Sequence, residues 1–250
     1  MHDAHFRSQL KSQEIAALHD VLLAVPAWPG AEPPALPGAL WTWVQANHRF
    51  NSLLWREEDL ARRTTVHDAE IAANKRAIDG YNQARNDATE RVDELLLVAL
   101  GLVDADSART DAPVSRVPPG ARLNSETAGS IVDRMSIMAL KIHAMTAQTM
   151  RQDVDAAHRA TSTVKLQRLR QQRADLGDCL DELLADATGG RAYFKVYRQF
   201  KMYNDPRMNP VLVAERARNS VPAHGVSARE GSAPASADAA GMAERSRPVG

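Results

Sequence analysis

The chain has one cysteine, Cys179, in 250 residues. That excludes an intramolecular disulfide and any zinc site built from several thiolates, and it fits a reducing compartment. Net charge is also absent, with Lys+Arg 31 against Asp+Glu 31. A neutral total removes the general electrostatic case for nucleic acid or an acidic membrane as partner. No apolar run approaches the roughly 18–20 residues of a membrane span. Met1-His2-Asp3-Ala4-His5 does not begin the basic-then-apolar pattern of a secretory signal. The expected location is therefore cytoplasmic. The glycine-rich phosphate loop G-x-x-x-x-G-K, the G-x-S-x-G elbow and an H-x-x-x-H metal pair are all missing. No stretch shows sustained strand alternation between turn signals, and no internal repeat is present.

What remains is helical. A hydrophobic content of 44% is enough for a sizeable core. Leu10, Ile15, Leu18 and Leu22 mark a first helix within Phe6–Val25. Pro26 stops it, and Pro29, Pro33, Pro34 and Pro37 continue an extended connector. The second helix, Ala39 to Arg63, gathers Leu40, Trp43, Val44, Phe50, Leu54 and Trp55 on one face. Thr65 with Asp68 predicts an N-cap for the third. That helix, Asp68 to Leu102, carries Ile71, Ile78, Tyr81, Ala88, Val92, Leu95, Leu96 and Ala99 as its stripe. Asp104 to Gly120, with Pro113, Pro118 and Pro119, reads as a long loop. Asn124-Ser125-Glu126-Thr127 offers caps for a fourth helix reaching Met150, apolar nearly all round and hence central.

A fifth helix over Val154–Ala187, with a break near Ala160 to Thr163, ends at Gly189-Gly190. A last helix, Arg191 to Tyr203, sets Tyr193, Tyr197 and Phe200 opposite Arg191, Lys195, Arg198 and Lys201. Asn209-Pro210 keeps the chain beyond it extended. The Ala-, Ser-, Gly- and Pro-rich composition after Ser220 predicts disorder. The expected fold is all-α, an elongated bundle of five to six helices in a single domain. Residues 1–38 form the N-terminal helix and connector, 39–210 the helical domain, and 211–250 a disordered tail.

Several apolar stripes contain groups that do not belong in a plain core. Asn47, Asn51 and Glu58 fall at the centre of the second helix's face, with Arg62 one turn beyond. On the third helix Arg85 sits mid-stripe, while Lys75, Asp79, Asn82 and Asn86 line its edge. Arg134 and Lys141 share one flank of the fourth helix, and Arg173 lies in the stripe of the fifth. An unpaired buried polar group costs about 1–3 kcal/mol, more if charged. These groups must pair with one another, reach water or meet a ligand. Cations outnumber anions among them, so a shared cleft would take an anion such as phosphate, carboxylate or a nucleotide. The plainer reading is a set of structural salt bridges: Glu58 with Arg62, Lys75 with Asp79, and Arg85 with an acid or carbonyl opposite.

Other patterns carry less. Glu90-x-x-Asp93 supplies one acidic pair of the kind that helical nucleotide pyrophosphatases use to hold magnesium. No E-x-x-E precedes it at a suitable distance. His48, His67 and His143 stand singly on helices. Cys179 lies beside a leucine stripe and reads as a small packed residue.

Four segments together resemble one bacterial family, domain of unknown function 4254. They are Asn51 to Arg62, Lys75 to Asp87, Gly129 to Ile137, and Lys195 to Pro206 continuing to Asn209-Pro210. The resemblance implies no assigned activity or cofactor. It does imply an association with surface-polysaccharide synthesis, since the family's members are similar to products often encoded beside glycosyltransferases.

The expectation that follows is a cytoplasmic protein binding an anionic small molecule, bearing phosphate or a nucleotide, in cell-surface polysaccharide or glycoconjugate biosynthesis. Arg62, Lys75, Arg85, Arg134 and Lys141 would hold the anion, and Asn51, Asn82 and Asn86 would orient it. Glu58 and Asp79 would act as general acid and base or as metal ligands. The alternative is a non-enzymatic partner of a glycosyltransferase, docking through Arg191 to Tyr203. A metal-dependent pyrophosphatase is third. Whether the chain is an enzyme, and which cofactor it uses, the sequence leaves open.

Overall fold

Helical periodicity becomes seven helices among the described residues of a computed structural model, which are 10–30, 35–199 and 205–219. The chain divides into two units, residues 1–199 and 200–250. The first holds α1 (Ser12–Leu23), α2 (Ala39–Leu60), α3 (Asp68–Ala99), α4 (Ala105–Ala108), α5 (Ala128–Met150) and α6 (Ala156–Thr188). Two short strands, β1 (Arg122–Leu123) and β2 (Ala192–Tyr193), pair in parallel beside them. The second unit contains α7 (Pro210–Asn219). No helix among the described residues is long and apolar enough to cross a membrane.

Two helical hairpins organise the first unit. The short turn after α2 folds α3 back against it, and the turn after α5 returns α6 along α5. The all-round apolar character of α5 has a direct cause: it touches α1, α2, α3 and α6. Ile131, Val132 and Met135 of α5 are buried in one cluster with Val92 and Leu97 of α3, Val44 of α2 and Leu180 of α6. Thr127 starts α5 by accepting the amide of Ser130 at 3.1 Å, one of the caps the sequence offered. At Gly129 the backbones of α3 and α5 pass closest. A Cβ built there would stand 2.5 Å from the carbonyl oxygen of Thr89 and 2.9 Å from Asp93. Only hydrogen fits.

Several boundaries differ from the sequence reading. The N-cap of α3 is His67 with no side-chain bond, so Thr65 is not used and Asp68 opens the first turn. The expected break near Ala160–Thr163 is not there; α6 is continuous, and Ser162 and Leu166 carry its packed face through that stretch. The loop after α3 holds α4 and an isolated bridge between Val103 and Ser115, tied by the Arg116–Asp104 ion pair.

The largest difference is after α6. Gly190, at φ 70°, ends the helix, with its own amide bonded to Ala187 and the next, from Arg191, bonded to Asp186. The chain then runs extended, and Ala192, Phe194 and Val196 are buried in alternation with Tyr193, Lys195 and Tyr197. That period of two is the mark of a strand, so the helix expected from Arg191 onward is not formed between 191 and 199. Phe200 to Asn204 lie outside the described residues. Asn209 and Pro210 do not hold the chain extended either. The Asn209 side chain accepts the amide of Val211 at 3.0 Å, and Pro210 takes the first helical position of α7. Residues 210–219 are thus helical where a disordered tail was expected; the rest of that tail lies outside the described residues.

Candidate functional site

Helices α2, α3 and α5 leave a cleft of about 370 Å³ between them. Its floor and one side are apolar, from Leu54 and Trp55 on α2 and Ile137 and Leu140 on α5. The polar wall comes from Asn51, Glu58 and Asp59 of α2, from Arg62 in the turn after it, and from Asn82 and Arg85 of α3. Residues 51, 54, 55 and 58 share one helical face, as do 82 and 85 one turn apart on the opposing helix. This is why residues distant in sequence line one space.

Beneath the cleft is a buried polar network centred on Asp133 of α5. Its Oδ1 accepts the side-chain amides of Asn51 at 2.8 Å and Asn47 at 2.9 Å. Asn51 also donates to the Ser136 hydroxyl at 3.1 Å, and Asn47 to the Thr89 hydroxyl at 3.1 Å. Ser136 is 2.8 Å from Nδ1 of His48. The His48 ring stacks on His19 of α1 with centroids 4.3 Å apart, and Trp28 lies on its other side at 5.6 Å. Burial strips both imidazoles of water and keeps them neutral. It lowers His48 to about 3 and His19 well below its ordinary value, where the neighbouring His48 and Arg173 add to the effect.

Arg85 reaches this network without being saturated by it. Its Nη2 donates to Asn86 Oδ1 at 3.0 Å, but its nearest carboxylate, Asp133, stands 4.0 Å from Nε. Among the described residues Nε itself has no hydrogen-bond acceptor. Asp133 also serves two amides, so its ion pair with Arg85 is long and the guanidinium has hydrogen-bonding capacity left. Asn82, three residues earlier on the same wall, makes no side-chain hydrogen bond among the described residues.

The remaining residues predicted for the site lie elsewhere. Glu58 and Arg62 reach the cleft rim, but as an exposed i,i+4 ion pair at 3.3 Å. Lys75 and Asp79 form a similar exposed pair one to two turns away from Asn82 and do not line the cleft. Asp79 therefore stands outside the lining that holds Glu58. Asn86 is buried, and its amide donates to Gln199 Oε1 at 2.9 Å, away from the cleft. Arg134 is exposed and bonded to Glu126 at 2.6 Å, while Lys141 points to solvent. Both sit on the flank of α5 that the cleft does not use. Arg173 binds both oxygens of Asp20, at 2.6 and 3.0 Å.

A second polar cluster was not foreseen. Glu90 and Glu94 of α3 face the extended segment after β2, while Asp93 faces the start of α5. Arg198 Nη1 donates to Glu90 at 2.8 Å and to Glu94 at 2.6 Å, and its Nη2 to the carbonyl of Ala108 at 2.8 Å. Glu94 also pairs with Arg91. Asp93 is fully enclosed and accepts the amide of Gly129 at 2.6 Å. Burial pushes its carboxyl up to about 7, against the lowering effect of bonds from Thr127 and Gly129. The acids of the Glu90-x-x-Asp93 pattern thus bond an arginine and a helix terminus. Among the described residues no three of His, Cys, Asp or Glu come together as a metal-binding group.

No curated protein and no solved structure matches this chain. A family model described as protein of unknown function (DUF4254) matches residues 41–196, which include every residue of the cleft and of the network beneath it except His19 and Trp28. By that match the chain belongs to the DUF4254 family.

Proposed function

We propose that the cleft between α2, α3 and α5 binds a small anionic molecule with a ring, such as a sugar phosphate or a nucleotide sugar, in the cytoplasmic synthesis of cell-surface polysaccharide or glycoconjugate. The observation that carries this reading is the pair Asn82 and Arg85. They are two polar side chains on one wall, one without a hydrogen bond among the described residues and the other with its acid, Asp133, only at 4.0 Å and its Nε unbonded. A half-buried guanidinium in that state is stabilised by an incoming phosphate or carboxylate through charge-assisted, bidentate hydrogen bonds. Trp55 offers an apolar surface for the face of a ring, and the Asn82 amide and the Glu58 and Asp59 carboxylates offer partners for hydroxyl groups. Asn51, held by Asp133 and Ser136, is a preorganised part of the wall.

The arrangement favours binding over a stated reaction. Glu58 is the one carboxylate of the original acid–base pair that reaches the cleft, and Asp79 does not line it. A thermal-shift screen with sugar phosphates, nucleotide sugars and their uncharged parent sugars tests the reading. A charged ligand should raise Tm while the uncharged parent does not. No shift with any charged member of the panel refutes it.

A further inference from the structure

A second crevice, of about 380 Å³, lies between α1, α5 and α6 and shares no residue with the cleft. Its walls are apolar for the most part, through Leu23 of α1 and Ile142, Ala147 and Met150 of α5. Met150 is 67% exposed, an extended apolar side chain at the crevice that no described residue covers. Two guanidinium groups of α6 stand at its edge. Arg173 is matched to Asp20, whose two oxygens it occupies. Arg170 has no hydrogen bond and no acid partner among the described residues, and neither has His143 across from it on α5.

The crevice therefore carries one net positive charge, from Arg170 and Arg173 against Asp20, and the nearest acids on α6, Asp175 and Asp178, follow Arg173 and do not line it. From Ala156 to Ala174, α6 carries Arg159, Lys165, Arg168, Arg170 and Arg173 and no acid. Arg170 and Arg173 also border a further hollow of about 290 Å³ along α1. One unspent cation at the end of an apolar trough matches one kind of small molecule.

We propose that this crevice binds an amphipathic anion, a phosphate monoester or carboxylate on a short apolar chain. Arg170 takes the head by charge-assisted hydrogen bonds, with His143 beside it. The chain lies along Leu23, Ile142 and Met150. Neither half is sufficient alone: an exposed guanidinium holds a bare anion weakly in water, and the trough holds a chain without directing it.

Isothermal titration of the full chain at pH 7 tests this with octyl phosphate and octanoate below their micelle concentrations. Inorganic phosphate is the head-only control and octyl glucoside the uncharged-tail control. One saturable site for octyl phosphate, for octanoate or for both supports the proposal, and the one that binds identifies the head. Each control should bind at least ten-fold more weakly, and shortening the chain should cost roughly two- to four-fold per methylene. Arg170→Met should weaken binding at least ten-fold at unchanged Tm, since Arg170 is exposed and unpaired. Met150→Glu, also at an exposed position, should abolish it, while Arg85→Met leaves it intact. Equal binding of octyl glucoside, unchanged binding by Arg170→Met, or no saturable binding by either anion overturns it.

Discussion

Lowering the pH from neutral should cost the fold stability through its two buried imidazoles, and the size of the effect follows from their surroundings. His48 is neutral in the fold and titrates at about 3, against an ordinary value of 6.5 in the unfolded chain. Between those values the unfolded chain binds the extra proton, so stability rises with pH across that window and is lost as pH falls through it. At about 1.4 kcal/mol per pH unit, the full window amounts to about 5 kcal/mol for His48. His19 adds in the same direction. Asp93 works against them. Its folded value, raised to about 7 from 3.8, gives a contribution that is complete below about 3.8 and disappears as pH rises through 7. Between about pH 4 and 6.5 the unfolded chain thus takes up a proton at His48 that the fold refuses, His19 acts in the same direction, and the fold keeps a proton at Asp93 that the unfolded chain releases.

His48 and Asp93 offset one another over that range, so the net slope takes the sign of His19, with stability increasing toward neutral. Two variants separate the terms. His48→Asn retains an amide near Nδ1 for Ser136 but cannot titrate, and should flatten the slope by about 1.4 kcal/mol per unit. Asp93→Asn retains an acceptor for Gly129 and should steepen the slope by the same amount. It should also stabilise the protein above pH 7, where the wild-type carboxyl must ionise while buried. Urea unfolding from pH 4.5 to 8 reads all three proteins. Parallel slopes for wild type and both variants would refute the assignment of these protonation states.

Three further predictions concern the frame around the cleft. Gly129→Ala should cost about 2–3 kcal/mol in urea unfolding, because the new methyl meets the Thr89 backbone at 2.5 Å; a loss under 0.5 kcal/mol would mean that α3 and α5 separate easily. Arg198→Met should cost about 3 kcal/mol by leaving Glu90 and Glu94 without their shared cation. Adding Glu90→Gln should restore part of that loss, and a fully additive double variant would contradict the coupling. Lys75→Ala should change stability by less than about 0.5 kcal/mol, since its pair with Asp79 is exposed on both sides; a larger loss would show that the pair is part of something buried.

Much of this fold is legible in the sequence, because long amphipathic helices announce themselves by their period. The stripe through Ile78, Ala88, Val92 and Leu96 is the buried face of α3, and the all-round apolar residues from Ile131 to Ile142 lie in the central helix. The misplaced segments are those where two periods compete. Arg191 to Gln199 can be drawn as a helix with aromatics on one side, yet Ala192, Phe194 and Val196 alternate, and Gly190 stops the helix before them. Asn209-Pro210 can end one element or start another, and which it does depends on the residues that follow.

The polar groups divide along a physical line. Asn47, Asn51 and Arg85 sit at stripe centres and do meet across helices. Lys75 and Asp79 lie at a stripe edge, where a pair four residues apart satisfies itself in water. A wheel gives the angle of each residue but not the neighbour, so Asp133 could not be named as the acceptor joining Asn47 and Asn51. The role of Glu90 and Glu94 was hidden for the same reason, since their cation, Arg198, is more than a hundred residues later.

The central claim is that Arg85 keeps hydrogen-bonding capacity for an anion in the cleft, and titration of one charged and one uncharged member of a sugar pair tests it most directly. With the sugar phosphate or nucleotide sugar that gives the largest thermal shift, wild type should bind at least ten-fold more tightly than Arg85→Met. The uncharged parent sugar should show no such difference, and Arg85→Met should fold with equal or greater stability. Equal affinity of wild type and Arg85→Met for the charged ligand, with both proteins folded, would make the arginine a structural element and contradict the account.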